Sequence, residues 1–146
     1  MVTFEISLTI NRPIEEVFTF VANRDYWPKW ASGAVDAAAV SQGRIGVGTM
    51  YRTINKAIGR QFEGTEEIIE YELCRKVTFK SASGPMPFVI RNSFERVEGG
   101  TKLTQVCESE PAGFFKLAAP IVERGARRQA ASDLASLKDL LEAQAM

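Results

Sequence analysis

The order in which the hydrophobic period changes along the chain is the feature that most restricts its fold. Residues 3–10 alternate between apolar and polar side chains, which is typical of a half-buried strand, and the pattern becomes helical after Pro13. From about residue 34 to residue 110, short alternating segments recur between turn signals, and roughly the last thirty residues are helical again. We therefore predict an α+β fold: an antiparallel sheet of roughly six to seven strands, two short helices after the first strand, and one long C-terminal helix.

Large apolar side chains and polar side chains share faces of the predicted central strands. The sets are Tyr51, Thr53 and Asn55; Val77, Phe79 and Ser81; Phe88, Ile90, Asn92 and Phe94; and Leu103, Gln105 and Cys107. The register of residues 62–71 is ambiguous because Ile68 and Ile69 are adjacent, a pattern compatible with a β-bulge. A buried polar group left unpaired costs about 1–3 kcal/mol, so each inward polar side chain must meet a neighbour, a water molecule or a ligand.

The C-terminal helix is predicted from apolar residues at helical spacing, and at ~1.5 Å per residue it would be roughly 40 Å long. Pro120 should start this helix afresh or kink it. One helix cannot fill the whole inner face of a curled sheet, so we expect a ligand cavity between them, typically ~300–1,000 Å³ in binding proteins. The residues at helical spacing are Phe114, Leu117, Ile121, Gly125, Leu134, Leu137 and Leu141.

Four stretches of the chain are similar to one fold family in their order and spacing. Together they resemble the helix-grip fold of the START-like (SRPBCC) superfamily and, within it, the bacterial polyketide cyclase/dehydrase-like family, over residues 3–143. The resemblance implies a single START-like domain over residues 1–146, in which a curved sheet grips the long helix. The stretches are INRPIEEVF (residues 10–18), YWPKW (residues 26–30), VGT (residues 47–49), and GTKLT with DLASLK (residues 100–104 and 133–138).

The family resemblance leaves two activities open. A few members cyclise or dehydrate polyketides, while many relatives bind or carry apolar molecules. The chain contains no histidine, so members that use a cavity histidine for acid–base chemistry have no counterpart here. The absence of histidine also excludes Ser-His-Asp and Cys-His catalysis and every histidine metal ligand.

Charge and cysteine content restrict the partners. Lys+Arg and Asp+Glu are both 18, whereas nucleic-acid-binding domains are usually basic, so no nucleic-acid partner is expected. Neither a signal peptide nor an apolar stretch of about 20 residues is present, so we predict no membrane span and a cytoplasmic protein with reduced Cys74 and Cys107. We expect no metal or cofactor, and a monomer or homodimer.

The predicted function is the binding or carrying of a small hydrophobic ligand, of polyketide, aromatic or lipid-like character, between the sheet and the C-terminal helix. The inward polar side chains would anchor a hydroxyl or carbonyl group of that ligand; alternatively they form a hydrated network without one. The predicted lining residues are Trp30, Tyr51, Phe62, Phe79, Phe88, Ile90, Asn92, Leu103, Gln105, Phe114, Leu117 and Ile121.

Catalysis would need a titratable side chain inside the cavity. Tyr51 is the preferred catalytic candidate: it would donate a proton to an enolising carbonyl whose oxygen Asn92 or Gln105 polarises. The alternative is a structural tyrosine with a satisfied hydroxyl. One of the adjacent Glu66 and Glu67 should point inward. The other candidates are Glu63, Arg91, Asp36 and Cys107. Cys107 is interpreted as core filler.

Three further features have a functional and a structural interpretation. A short helix is predicted over residues 25–31 with Asp25 as its cap, and its tryptophans either gate the cavity or plug the core. The glycine-rich residues 43–48 precede a strand rather than a helix, which argues against a phosphate-binding loop. Arg124, Arg127 and Arg128 form either a solvated face or a patch for acidic partners. The rival functions are a polyketide cyclase or dehydratase, and a protein-interaction module with a filled core.

Overall fold

Seven strands build one antiparallel sheet in the computed structural model, which describes residues 2–57, 59–84, 87–109 and 119–144. The sheet order is β1-β7-β6-β5-β4-β3-β2. Two short helices follow β1 and a long helix ends the chain, which confirms the predicted α+β helix-grip architecture. The elements are β1 (Val2–Ile10), α1 (Ile14–Ala22), a 3-10 helix (Arg24–Lys29), β2 (Ala34–Ala39), β3 (Met50–Ala57), β4 (Arg60–Glu72), β5 (Lys76–Ser83), β6 (Phe88–Val97), β7 (Gly100–Ser109) and α2 (Ala119–Ala143).

Helix α1 closes one end of the inner face of the sheet. Pro13 precedes the helix, and two glutamates occupy its first turn, where the helix dipole favours negative charge. The buried stripe of α1 includes Phe18, whose ring packs edge-to-face against Phe94 (5.0 Å between centroids) and Tyr71 (5.4 Å). Ile10 and Leu103 are fully buried in the same core. We call this region the closed end.

Strand β4 contains the irregularity that its sequence suggested. Its pairing with β5 shifts register between Thr65 and Glu66 and again between Ile68 and Glu70. Ahead of the second shift β4 alternates regularly, with Glu66 and Ile68 buried and Glu67 half-buried between them. Glu66 is therefore the inward member of the adjacent glutamate pair.

The segment after α1 differs in detail from the prediction. It is a 3-10 helix over Arg24–Lys29, and its N-terminal cap is Asn23, whose side-chain oxygen accepts the backbone N–H of Asp25 at 3.0 Å. The prediction that Asp25 is the cap was wrong because the helix begins earlier. Trp30 is buried and its indole N–H donates to the carbonyl of Phe20 at 3.3 Å, so this tryptophan plugs the core.

Helix α2 is fixed to the sheet by its C-terminal half. Leu134, Leu137 and Leu141 are buried there. The Lys138 ammonium donates to the carbonyl of Thr9 at 2.7 Å. Pro120 is the second residue of the described helix, and whether it starts or bends the helix depends on residues 110–118, which lie outside the described part of the chain.

The N-terminal half of α2 makes few contacts. None of its described side chains between residues 121 and 130 is buried. Ile121 is 74% exposed, so it does not belong to the packed core, and its assignment to the ligand lining stays a prediction. The contact of this half with the sheet includes Arg127, whose guanidinium carbon lies 5.9 Å from the ring centroid of Phe4. Phe114 and Leu117 lie outside the described residues. No helix within the described part of the chain is long and apolar enough to span a membrane.

Candidate functional site

The described residues cover the inner face of the sheet only in part. At the end opposite α1, the inward-facing Phe62, Phe88, Ile90 and Cys107 are each only half-buried, although large side chains on the same face nearby are fully buried. We call this region the open end. Its lining is mostly apolar, which is typical of a site for a hydrophobic ligand.

The structure brings most of the predicted lining residues to the inner face. Trp30, Tyr51, Phe79, Asn92, Leu103 and Gln105 are buried, and Phe62, Phe88 and Ile90 lie at the open end. Leu103 pairs with Phe94 on β6 and so belongs to the closed end. Nothing in these positions contradicts the remaining assignments, which stay predictions.

A buried ion pair, Arg24–Glu66, joins the 3-10 helix to β4. Arg24 Nε donates to Glu66 Oε1 at 2.7 Å, and each side chain is only 4% exposed. Glu66 pairs with the inward-facing Tyr51 of β3 and so points to the same face, and Arg24 of the 3-10 helix meets it there. Two buried opposite charges compensate each other, whereas either alone would be costly.

Aromatic rings hold the Arg24 side chain in place. Its guanidinium carbon lies 3.8 Å from the ring centroid of Phe79 and 5.1 Å from that of Trp27. Cations in such positions are attracted by the ring faces. The side chain of Arg24 is therefore fixed before any ligand arrives.

Sequence reasoning did not single out Arg24. It lies in a polar run at a helix junction, where an arginine is usually solvated. The available signal was Glu66: an inward carboxylate on a strand requires a cation, and the sequence does not say which of the 18 basic residues supplies it.

The inward amides form a hydrogen-bonded chain that ends on the protein backbone. Gln105 Nε2 donates to Asn92 Oδ1 at 2.9 Å, and Asn92 Nδ2 donates to the carbonyl of Val77 at 3.3 Å. The Cys107 thiol lies 3.5 Å from Gln105 Oε1. These amides already form hydrogen bonds within the protein, which reduces their capacity to polarise a ligand carbonyl.

The Tyr51 hydroxyl is directed toward the backbone at the end of α1. It lies 3.5 Å from the carbonyl oxygen of Ala22. Burial raises the pKa of Tyr51 above its ordinary value, against the opposing effect of a backbone hydrogen bond from Arg24. The catalytic role of Tyr51 stays a prediction; the observed contacts are those of a structural hydroxyl.

The other titratable candidates do not share this interior. Glu63 pairs with Arg52 and Arg91 pairs with Glu108, all at least partly exposed. Asp36 is exposed and accepts its neighbour's backbone N–H. Among the candidates, Glu66 is thus the carboxylate that the fold buries.

Cys107 faces the open end but is a poor nucleophile. Burial raises the pKa of its thiol to about 11, and the nearby positive charge of Arg24 only partly opposes this. Since the thiolate is the reactive form, the interpretation of Cys107 as core filler agrees with its environment. The described residues contain no cluster of three His, Cys, Asp or Glu side chains that could hold a metal ion.

A surface groove of about 360 Å³ lies elsewhere, between the β1–α1 connection and the β6–β7 turn. Its two arginines are both paired: Arg12 with Glu16, and Arg96 with Glu15. The groove therefore presents no unpaired cation among its described residues, and the interior remains the candidate site.

Comparison with protein families agrees with the fold. The sequence matches the model of the family described as "Polyketide cyclase / dehydrase and lipid transport" over residues 1–142. The chain belongs to this family. No curated protein matches the sequence.

Solved structures of similar fold cover nearly the whole chain of this polyketide cyclase/dehydrase family member. A protein from Thermus thermophilus is 18% identical with a TM-score of 0.85, covering 99% of both chains. A START superfamily protein from Mycobacterium smegmatis is 12% identical with a TM-score of 0.82, also covering 99% of both. The Zhui aromatase/cyclase from a Streptomyces species is 13% identical with a TM-score of 0.79, covering 99% of this chain and 95% of its own. At these identities the likeness establishes the shared START-like helix-grip fold.

Proposed function

We propose that the protein binds a small hydrophobic ligand at the open end of the inner face. The observation that carries this proposal is the partial exposure of Phe88 and Ile90 on a face where Tyr51, Phe79 and Leu103 are fully buried. Apolar side chains left uncovered inside a fold gain free energy when a ligand covers them, at ~25 cal/mol per Å². Membership of a family that includes lipid transport supports the same function.

The polar groups beside this surface suit an apolar molecule that carries an oxygen function. Arg24 and Glu66 lie next to Phe79, and Phe79 pairs with Ile90 on the neighbouring strand. An apolar lining with few fixed polar groups gives orientation and specificity together.

A matched pair of variants on β6 tests the binding site. Ile90→Trp should fill the open end and abolish binding of a neutral fluorescent probe such as N-phenyl-1-naphthylamine. Val89→Trp is the control, because Val89 is the adjacent residue on the opposite face of the same strand. Native mass spectrometry of the purified protein should also detect a co-purifying apolar molecule whose amount falls in Ile90→Trp alone.

Two results would contradict ligand binding. If the wild type binds no neutral apolar probe and carries no small molecule, the interior is filled, and the interaction-module function becomes the better proposal. If both tryptophan variants retain binding, the probe binds elsewhere.

A second candidate function is a cyclase or dehydratase reaction on a carbonyl-bearing ligand. The buried carboxylate of Glu66 favours it, because proton transfer requires a titratable group inside the site. Incubation with the ligand found by mass spectrometry, followed by product mass, tests for loss of water. Tyr51→Phe should then abolish turnover while ligand affinity stays within a few-fold; equal turnover would remove Tyr51 from the reaction.

A further inference from the structure

Arg24 has more hydrogen-bonding capacity than the protein uses. A guanidinium carries five N–H donors, and within the described residues Arg24 makes one side-chain hydrogen bond, from Nε to Glu66 Oε1. Glu66 likewise uses only one of its two carboxylate oxygens in that part of the chain. Each side chain is 4% exposed, so the pair is almost but not completely enclosed.

The neighbouring polar groups already form hydrogen bonds within the protein. The amides of Asn92 and Gln105 bond to each other and to the backbone, and Tyr51 faces the backbone of α1. The ion pair is therefore the polar group best able to receive a ligand oxygen, and the guanidinium is held in place by Phe79.

The charge balance of the pair restricts which oxygen function can bind. Arg24 and Glu66 together are neutral, so a neutral ligand leaves the interior neutral. A carboxylate would add an uncompensated negative charge next to Glu66, and burial of an unpaired charge is strongly unfavourable. Charge-assisted hydrogen bonds to a ketone or hydroxyl oxygen carry no such penalty.

We propose that the Arg24–Glu66 pair determines ligand specificity: it binds the carbonyl or hydroxyl group of a neutral apolar molecule and excludes carboxylates. This inference rests on the proposed ligand-binding function. Arg24 donates to the ligand oxygen, and Glu66 sets the charge that makes an acid unfavourable.

Competitors of one shape test this specificity. 2-Ethylnaphthalene, 2-acetonaphthone and 2-naphthoate share one ring system and differ in the substituent, and each displaces N-phenyl-1-naphthylamine in a titration near neutral pH. For the wild type we expect the ketone to bind about fivefold more tightly than the hydrocarbon, and the acid at least about tenfold more weakly than the ketone.

Glu66→Gln is the decisive variant because glutamine keeps an acceptor for Arg24 Nε but leaves the interior with a net positive charge. The affinity for 2-naphthoate should rise about tenfold or more, while that for the ketone changes by less than about threefold. Glu63→Gln, an identical change on the exposed face of the same strand, should alter neither. Arg24→Met/Glu66→Met removes both charges and should abolish the preference for the ketone over the hydrocarbon, which keeps the inference testable if Glu66→Gln does not fold.

The outcomes separate this inference from the proposed function. If the probe binds and Ile90→Trp blocks it, but acid and ketone respond alike in Glu66→Gln, ligand binding stands and the specificity role of the pair is wrong. If the double variant keeps the full ketone preference, the role is again wrong. If no probe binds the wild type, the proposed function fails and this inference fails with it.

Discussion

Removal of one partner of the buried Arg24–Glu66 pair should destabilise the protein far more than removal of both. Both side chains are 4% exposed, and the two atoms joined by the hydrogen bond are 2.7 Å apart. Loss of one partner from such a pair leaves a buried charge uncompensated and costs about 3–5 kcal/mol. Arg24→Met, which keeps an apolar contact with Phe79, should therefore lower the free energy of unfolding by about 4 kcal/mol, a large part of the roughly 5–15 kcal/mol typical of a domain.

The double variant shows whether the destabilisation comes from an uncompensated charge or from loss of the pair itself. Arg24→Met/Glu66→Met buries two apolar side chains in place of two charges, and such replacements are often neutral or stabilising. We expect its stability to lie within about 2 kcal/mol of the wild type, so that the double-mutant cycle gives a coupling of at least about 3 kcal/mol.

Urea unfolding, followed by tryptophan fluorescence and circular dichroism, measures these differences. With a urea slope of about 2 kcal/mol per M, Arg24→Met should shift the midpoint by roughly 2 M. The control is Arg52→Met, which breaks an ion pair whose side chains are 51% and 59% exposed and should shift the midpoint much less. The reasoning is refuted if Arg24→Met and Arg52→Met shift the urea midpoint equally. It is also refuted if the free-energy effects of Arg24→Met and Glu66→Met simply add in the double variant.

Three further predictions concern other parts of the fold. Tyr51→Phe should cost about 1 kcal/mol of stability in urea unfolding, because the hydroxyl is lost together with its long contact to the carbonyl of Ala22; a loss several times larger would assign the hydroxyl a bigger role. The pKa of Cys107 is raised from an ordinary 9.0 to about 11, so its contribution to stability is complete below pH 9 and is lost as the pH rises to about 11. Over that range the wild type should lose at most about 3 kcal/mol more than Cys107→Ser, and parallel stability curves for the two proteins would contradict the shift. Gly100→Ala should lower the free energy of unfolding by at least about 2 kcal/mol, since a Cβ there would meet the carbonyl oxygen of Ile10 at 2.1 Å. Gly125→Ala on α2, where a Cβ meets no neighbour, should raise it by about 0.5–1 kcal/mol. Melting temperatures of the two variants that shift in the same direction would contradict this packing.

Local patterns in the sequence predicted the elements of the fold well. Alternation placed Phe4 and Ile10 on the buried face of β1, and the adjacent Ile68 and Ile69 marked the β4 irregularity between Ile68 and Glu70. Such signals are local: each depends on residues within a few positions of one another.

The site was less predictable because its central contact is not local. Arg24 and Glu66 are 42 positions apart, and no period or motif connects a residue in a polar turn with a strand residue that far along the chain. The long helix shows a second limit of local patterns. Helical spacing identifies which residues share a face, but not where along the sheet a helix stops packing.

Because α2 is held by its C-terminal half, the two halves of the helix differ in how much sequence change they tolerate. Leu134, Leu137 and Leu141 anchor the core, whereas the side chains of Ile121 and Arg124 are exposed. Substitutions at such exposed positions in the first turns of α2 can therefore accumulate at small thermodynamic cost. A scaffold divided in this way can diverge by drift at one end of its helix, in keeping with a fold that is shared at 12% sequence identity.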